Sequence, residues 1–68
     1  MNIFINGHQY SVDGGTVNDA LALFLSEEQQ ALSYAVALNG DFVGKTEYQV
    51  TPVNDGDSID VLFPIQGG

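Results

Sequence analysis

The sequence predicts a two-layer α+β domain in which a sheet of four or five strands packs against one main helix. Three observations support this prediction. Short segments with apolar residues at every second position occur in both halves of the chain, one amphipathic helical segment lies between them, and the dipeptide Asn-Gly occurs twice at hairpin positions. One helix can cover only one face of such a sheet, so the elements are expected to form two layers.

The N-terminal segment, MNIFIN, predicts the first strand of a hairpin. Ile3 and Ile5 alternate with Phe4, as in a strand with one buried face. Asn6-Gly7 predicts the turn, because both residues tolerate positive φ, and HQYSV predicts the returning strand. Ile3 and Ile5 are therefore expected in the core, and Phe4 on the other face of the sheet.

The main helix is predicted to begin after Thr16, which is a good N-cap residue. Asp19, three positions later, resembles the second member of a capping box and complements the helix dipole. The apolar stripe that follows has three- and four-residue spacing and consists of Val17, Ala20, Leu21, Phe24 and Leu25. Ser26 and Gln29 repeat the capping pattern, which predicts a second, short helical turn.

The C-terminal half predicts a second hairpin and a last strand. The strand YAVALN, the turn Asn39-Gly40 and the short strand DFV form the hairpin. After a segment without clear periodicity, the turn NDGD leads into the strand SIDVLF. The core residues expected from these strands are Val36, Leu38, Ile59, Val61 and Phe63, with Ala35, Ala37 and Leu62 on the opposite face.

Phe4 and Leu62 are large apolar residues on this open face, where the alanines are small. Patches of this kind often mark contact surfaces, and scattered surface apolar residues are the alternative explanation. In the first case, Phe4 and Leu62 lie on adjacent strands and form an apolar centre surrounded by Asp and Glu side chains. Such a surface fits a partner that is apolar in the middle and basic at its edge.

The charge of the chain excludes two classes of partner. Nine acidic residues and a single basic one, Lys45, give a net charge of −8. Nucleic acids and anionic membrane surfaces bind proteins of the opposite charge. The acidic composition fits either simple solubility or a partner with a basic docking surface. No apolar run is long enough to span a membrane and no signal peptide is recognisable, so a cytoplasmic location is expected.

The sequence does not predict an enzyme or a metal site. It has no cysteine, and its one histidine, His8, is expected to be a solvated residue next to the first turn. No serine has both a base and an orienting group nearby. The pair of acids in Asp55-Gly56-Asp57 lacks the further oxygen ligands of a calcium loop and is interpreted as a turn. No cofactor is expected.

The C-terminus, FPIQGG, is the remaining chemical feature. A proline ends the last strand, so a domain over residues 1–64 is predicted to be followed by a flexible tail over residues 65–68. Two final residues without Cβ make the tail thin enough to enter a narrow cleft and to present the α-carboxylate of Gly68 there. The residues expected to thread into such a cleft with it are Gln66 and Gly67.

These segments together resemble the ThiS family, the small ubiquitin-like sulfur carriers of bacterial thiamine biosynthesis. The similarity rests on MNIFING, GGTVNDAL, AVALNGDFV, NDGDSIDVLF and PIQGG, in this order, and extends essentially over the whole chain. It implies a ubiquitin-like β-grasp fold, in which a mixed sheet packs on one main helix. This agrees with the order of elements predicted above.

The resemblance also implies a chemical role for Gly68. An E1-like, ATP-dependent partner of the ThiF type would adenylate its carboxylate. Because the chain has no thiol, the sulfur would come from outside, ultimately from a cysteine desulfurase. The resulting thiocarboxylate would be passed to a thiazole synthase of the ThiG type, which makes this protein a carrier and cosubstrate rather than an enzyme.

Two alternatives remain open at the level of sequence. The stretch LFP is similar to the MoaD-type carriers of molybdopterin synthesis, and an acidic β-grasp interaction module could end on glycines incidentally. The chain also departs from the ThiS pattern after NGDFV, where Gly44 and Lys45 replace the usual proline and arginine. Since lysine lacks the forked donors of arginine, a partner contact made by Lys45 is expected to be weaker or of a different kind.

Overall fold

The structure, a computed structural model, describes residues 1–64 of the chain. Its elements are β1 (Asn2–Ile5), β2 (His8–Ser11), α1 (Val17–Phe24), α2 (Glu27–Gln30), β3 (Ala35–Leu38), β4 (Asp41–Val43), a 3₁₀ helix (Lys45–Glu47) and β5 (Ser58–Leu62). The strands form one sheet in the order β2-β1-β5-β3-β4. The prediction of a sheet with one main helix is therefore confirmed.

The sheet is mixed because its last strand enters between the two hairpins. β5 pairs in parallel with β1 and antiparallel with β3, while β1–β2 and β3–β4 are antiparallel hairpin pairs. A parallel pair requires a long crossover connection. The chain between β1 and β5 supplies it and carries α1 across one face of the sheet.

Both predicted hairpin turns have the backbone conformation that Asn-Gly allows. The φ angles are 51° and 81° at Asn6 and Gly7, and 51° and 87° at Asn39 and Gly40. Positive φ at both central residues is the type I′ geometry, whose twist matches that of the flanking strands. The two dipeptides therefore fix where each hairpin reverses.

The helix starts also follow the predicted capping chemistry. The Asp19 carboxylate accepts hydrogen bonds from the backbone N–H of Thr16 at 2.9 Å and from its hydroxyl at 3.2 Å, and α1 begins at the next residue. At α2, Gln29 and Ser26 exchange side-chain to backbone hydrogen bonds of 3.0 and 3.1 Å. These bonds satisfy donors that a helix N-terminus leaves without partners.

A single apolar core lies between the sheet and α1. Its buried members are Ile3, Ile5, Val12, Val17, Ala20, Leu21, Leu25, Val36, Val43, Tyr48, Val53, Ile59 and Val61. The predicted core residues of β1 and β5 are among them, as are four of the five residues of the predicted helix stripe, Val17, Ala20, Leu21 and Leu25. Leu38, Phe63 and Phe24 are only partly buried and pack against the margin of this core.

The structure buries Tyr48 and Val53, which were not predicted to be core residues. They belong to the segment between β4 and β5, where no periodic pattern is visible. The backbone N–H groups of Val17 and Asn18 donate to the carbonyl oxygens of Thr51 and Tyr48, each at 2.9 Å. This segment thus covers the start of α1 through backbone contacts that do not depend on a repeating side-chain pattern.

Candidate functional site

The end of β5 is where the chain leaves the domain toward the predicted reactive carboxylate. Phe63, directly after this strand, is partly buried against the core. Its ring meets the Tyr34 ring edge-on at a centroid distance of 5.9 Å. Tyr34 in turn stacks on Tyr48, with centroids 6.4 Å apart and planes inclined by 10°. A row of three aromatic rings therefore anchors the chain at the base of its tail.

The predicted tail itself lies outside the described residues. Threading by Gln66 and Gly67, modification of Gly68, and the division into a domain over 1–64 and a flexible tail over 65–68 all stay predictions. The structure describes the chain as far as Pro64 and the residues that pack around the end of β5.

Two asparagines from the hairpin turns hold β5 from either side. The Oδ1 of Asn6 accepts the N–H of Val61 at 2.7 Å, and its Nδ2 donates to the carbonyl of the same residue at 3.1 Å. The Oδ1 of Asn39 accepts the N–H of Ser58 at 2.9 Å, and the backbone N–H of Asn39 donates to the Ser58 carbonyl at 2.7 Å.

These asparagines have a second role that sequence reasoning missed. A side-chain amide has one acceptor and donors like those of a peptide group, so each asparagine continues the strand ladder beyond its hairpin. The signal in the sequence was only the turn chemistry of Asn-Gly. The residues to which the asparagine side chains are hydrogen-bonded lie 18 or more positions away in the sequence. A local sequence pattern does not show contacts at this separation.

Phe4 and Leu62 lie on the face of the sheet that α1 does not cover. Phe4 is 38% exposed and stands opposite Ser58, while Leu62 is 65% exposed and stands opposite Ala35. They are on the adjacent strands β1 and β5, so the predicted alternation of both strands is confirmed. Their role in docking a partner stays a prediction.

Phe42 lies on the same face of the sheet as Phe4 and Leu62, although it was not predicted there. It is 74% exposed and pairs across the hairpin with Ala37, whose short side chain leaves the ring uncovered. The signal was present in the strand DFV, because Phe42 alternates with the buried Val43. This strand has only three residues, which is too short a pattern to assign its two faces from the sequence.

Asp60 interrupts this apolar surface, which corrects the expected arrangement. Acidic side chains were predicted to surround an apolar centre, but Asp60 is exposed on the same face of β5 as Leu62. It stands opposite Ala37, whose other neighbour is Phe42. Phe4 is level with Ser58, four positions before Leu62, so the two apolar side chains are about 13 Å apart along β5. The open face, defined by Phe4, Phe42, Asp60 and Leu62, is thus three apolar side chains around one carboxylate.

Lys45, the third predicted docking residue, is not brought together with Phe4 and Leu62. It begins the 3₁₀ helix and lines a cleft of about 510 Å³. This helix-side cleft is formed by α1, the segment from the end of α2 to Tyr34, and the 3₁₀ helix with Tyr48. No strand residue lines it within the described part of the chain. Lys45 therefore belongs to a second surface, on the helix layer.

Tyr48, which lines this cleft, has a raised pKa. Burial raises the pKa of Tyr48 above its ordinary value, and the neighbouring Tyr34 raises it further. A phenol with a raised pKa stays neutral at physiological pH and can donate a hydrogen bond. Tyr48 and Lys45 both line this cleft.

Residues 1–64 contain neither a cluster of metal ligands nor a helix that could span a membrane. In this range no three His, Cys, Asp or Glu side chains are grouped so that they could hold a metal ion. His8 is exposed beside the first turn, where the sequence placed it. No helix over these residues has the length and apolar character needed to cross a bilayer.

Comparisons with protein families and with solved structures identify the same family. A family model described as the ThiS family matches residues 3–68. A crystal structure of a thiamine biosynthesis protein (ThiS) from Geobacter metallireducens is 28% identical, with a TM-score of 0.78 and coverage of 100% of both chains. No curated protein sequence matches the chain.

A second solved structure supports the same likeness. It is an NMR solution structure of a thiamine biosynthesis protein from Geobacter metallireducens, 31% identical, with a TM-score of 0.73. The similarity covers 100% of this chain and 88% of that one. The mixed five-stranded sheet on one main helix is the arrangement of these neighbours, which confirms the predicted β-grasp fold.

Proposed function

The chain belongs to the ThiS family of sulfur carrier proteins in thiamine biosynthesis, and on this premise we propose that the carboxylate of Gly68 carries the sulfur. As a carrier, the protein is a cosubstrate and not itself a catalyst. The observation that carries the proposal is the family match, because it runs to residue 68 and so includes the terminal Gly67-Gly68. Both structural neighbours are thiamine biosynthesis proteins, which favours this pathway over a MoaD-type role in molybdopterin synthesis.

The proposed chemistry begins with activation, because a carboxylate is a poor electrophile. In the active site of an E1-like enzyme of the ThiF type, a Gly68 oxygen attacks the α-phosphate of ATP and pyrophosphate leaves. The outer sulfur of a persulfide formed by a cysteine desulfurase then displaces AMP from the acyl carbon, and a thiol reductant cleaves the resulting S–S bond, which leaves the thiocarboxylate on Gly68. Splitting the substitution into two steps gives each a good leaving group. The chain has no cysteine, so the sulfur is supplied from outside.

In this proposal the tail reacts and the domain binds the partner enzymes. The aromatic row Phe63–Tyr34–Tyr48 anchors the base of the tail. In the proposal, the tail enters the active site while the open face binds the activating enzyme. The thiocarboxylate is then handed to a thiazole synthase of the ThiG type.

The open face specifies what the activating enzyme must present. Three exposed apolar side chains call for apolar counterparts, and Asp60 among them calls for a cationic group. The net charge of −8 adds long-range attraction to a basic surface.

Intact-mass measurement tests the proposal directly. After incubation with the E1-like enzyme, ATP and a sulfur source, we expect the chain to gain the mass difference between sulfur and oxygen. The control reaction without ATP should leave the mass unchanged, because the carboxylate is not activated. An unchanged mass beside an activating enzyme that is shown to turn over ATP would contradict the carrier role of Gly68.

Truncation of the open face should weaken loading without unfolding the domain. We expect Leu62→Ala and Phe42→Ala each to raise the KM of the activating enzyme by about 5- to 30-fold, as for interface anchors worth about 1–2 kcal/mol. Val50→Ala is the matched control, because Val50 is an exposed apolar residue outside the sheet. Thermal melting should be unchanged in all three variants. A lowered melting temperature for Leu62→Ala with an unchanged KM would assign that residue to the core instead.

A further inference from the structure

The helix-side cleft differs in charge from the rest of the molecule. Lys45 is the only lysine or arginine of the chain, and it lines this cleft. All nine acidic residues lie within residues 1–64, and none of them lines it. In a protein of net charge −8, the cleft therefore presents a cation to a carboxylate from outside, and no acidic side chain of residues 1–64 lines it.

The other side chains of the cleft add hydrogen-bond donors and apolar contact area. Tyr34, Tyr48 and Asn18, whose side chains carry hydroxyl or amide groups, are among the residues that line it. Leu25 is buried and forms part of the apolar lining, while Leu32 is 53% exposed and also borders the cleft. A half-exposed leucine indicates an open surface rather than an enclosed pocket, which would bury most of a small ligand. The arrangement suits a protein segment better than a small molecule.

We propose that the helix-side cleft is a second docking surface, which binds a segment of the sulfur-accepting enzyme with a carboxylate at Lys45 and an apolar side chain at Leu32. This inference depends on the proposed function, because it assumes that one enzyme loads the carrier and another unloads it. It adds a separate surface for the second of these enzymes.

The assignment to the accepting enzyme follows from the contrast between the two surfaces. The open face centres on the carboxylate of Asp60 and calls for a cation, whereas the cleft carries the ammonium group of Lys45 and calls for an anion. A partner segment with a cation for Asp60 is repelled by Lys45, and a segment with an anion for Lys45 is repelled by Asp60. Each segment is therefore selective for one of the two surfaces. The activating enzyme is assigned to the open face, so the cleft is left for the accepting enzyme.

The positions of the two surfaces also suit a transfer between enzymes. The open face lies on the side of the sheet that α1 leaves uncovered, and the cleft lies on the helix layer. A second enzyme can therefore engage the cleft before the first has left the open face. The aromatic row from Phe63 through Tyr34 to Tyr48 links the tail base to the wall of the cleft, so both surfaces adjoin the outgoing chain.

Equilibrium binding of the unmodified chain to each of the two enzymes tests this proposal, without ATP or sulfur. Lys45→Met keeps the alkyl stem and removes the charge, and it should raise the Kd for the thiazole synthase about threefold to fivefold. Lys45→Arg keeps the charge and should stay within about twofold, whereas Lys45→Glu should weaken binding about tenfold or more. Added salt should reduce the difference between the wild type and Lys45→Met.

Leu32→Ala tests the apolar half of the cleft, with Val50→Ala as its control. We expect Leu32→Ala to raise the Kd for the synthase about fivefold to tenfold. Val50 does not line the cleft, so its truncation should have no effect. None of these variants should change the Kd for the activating enzyme by more than about twofold.

Several results would overturn the proposal. One is an unchanged Kd of Lys45→Met for the synthase, and another is an equal rise of that Kd in Leu32→Ala and Val50→Ala. A third is a higher Kd of the cleft variants for the activating enzyme alone. Faster loading of Lys45→Met with unchanged synthase binding would show that the chain's own terminal carboxylate occupies Lys45, which also overturns it. A wild-type chain that binds neither enzyme contradicts the proposed function and the cleft together. A wild-type chain that gains sulfur while the cleft variants bind normally contradicts the cleft alone.

Discussion

Replacing Gly67 by valine is expected to abolish sulfur loading while leaving the stability of the domain unchanged. The proposed reaction requires the Gly68 carboxylate to reach the α-phosphate of ATP through a narrow entrance. A β-branched side chain next to the terminal residue widens the tail and restricts its backbone. Misplacing a reacting group by about 1 Å can cost on the order of 100-fold in rate, so we expect at least that loss. Single-turnover formation of the thiocarboxylate, followed by intact mass, measures it.

Graded substitutions in the tail separate threading from other effects. Gly67→Ala adds one methyl group and should lie between the wild type and Gly67→Val. Gln66→Ala leaves the terminal glycines in place and should lose less than either. The free energy of unfolding should stay within about 0.5 kcal/mol of the wild type in all three variants, as for surface positions. Normal loading of Gly67→Val, or a large loss of stability, would contradict the threading role of the tail.

The parts of the fold that could be predicted from the sequence are those set by local chemistry. Asn-Gly specifies a type I′ turn because both residues accept positive φ, and both turns were located by this rule. The spacing of Thr16 and Asp19 located the start of α1, because the carboxylate reaches back to the preceding backbone. Alternation in β1 and β5 assigned buried and exposed faces correctly, which placed Phe4 and Leu62 on the open face.

The parts that could not be predicted depend on contacts between distant segments. The insertion of β5 between β1 and β3 follows from packing of the whole sheet, and no dipeptide encodes it. The hydrogen bonds of Asn6 to Val61 are a consequence of that insertion. Tyr48 was missed because the segment that carries it is held by backbone contacts to α1 rather than by a repeating pattern.

The candidate site shows the same division. The tail stays a prediction from composition, whereas the positions of Phe4 and Leu62 on the open face follow from the period of two in β1 and β5. The place of Asp60 among them needed the strand register, which sets it opposite Ala37. The cleft around Lys45 joins two helices, a loop and a 3₁₀ helix, so its acid-free lining is visible only once these elements are assembled.

Tyr48→Ala is expected to cause the largest loss of stability among the changes considered, about 3–5 kcal/mol. Tyr48 is buried in the core cluster, and its ring stacks on Tyr34, which packs against Phe63. Truncation leaves a cavity under the start of α1 and removes the support of the row that anchors the tail. A small domain has a total stability of about 5–15 kcal/mol, so this loss is a large fraction of it. Urea unfolding at neutral pH measures the difference.

Tyr48→Phe is the matched control, because it keeps the ring and its stacking but removes the hydroxyl. We expect it to retain most of the stability at neutral pH. The folded state raises the pKa of Tyr48, so at high pH the unfolded chain loses this proton more readily than the folded one. The wild type should therefore lose stability as the pH rises above about 10, and Tyr48→Phe should lack this contribution to the decline. Wild-type stability in Tyr48→Ala would show that the ring is dispensable to the core, and parallel pH profiles of the wild type and Tyr48→Phe would show that its hydroxyl ionises equally in both states.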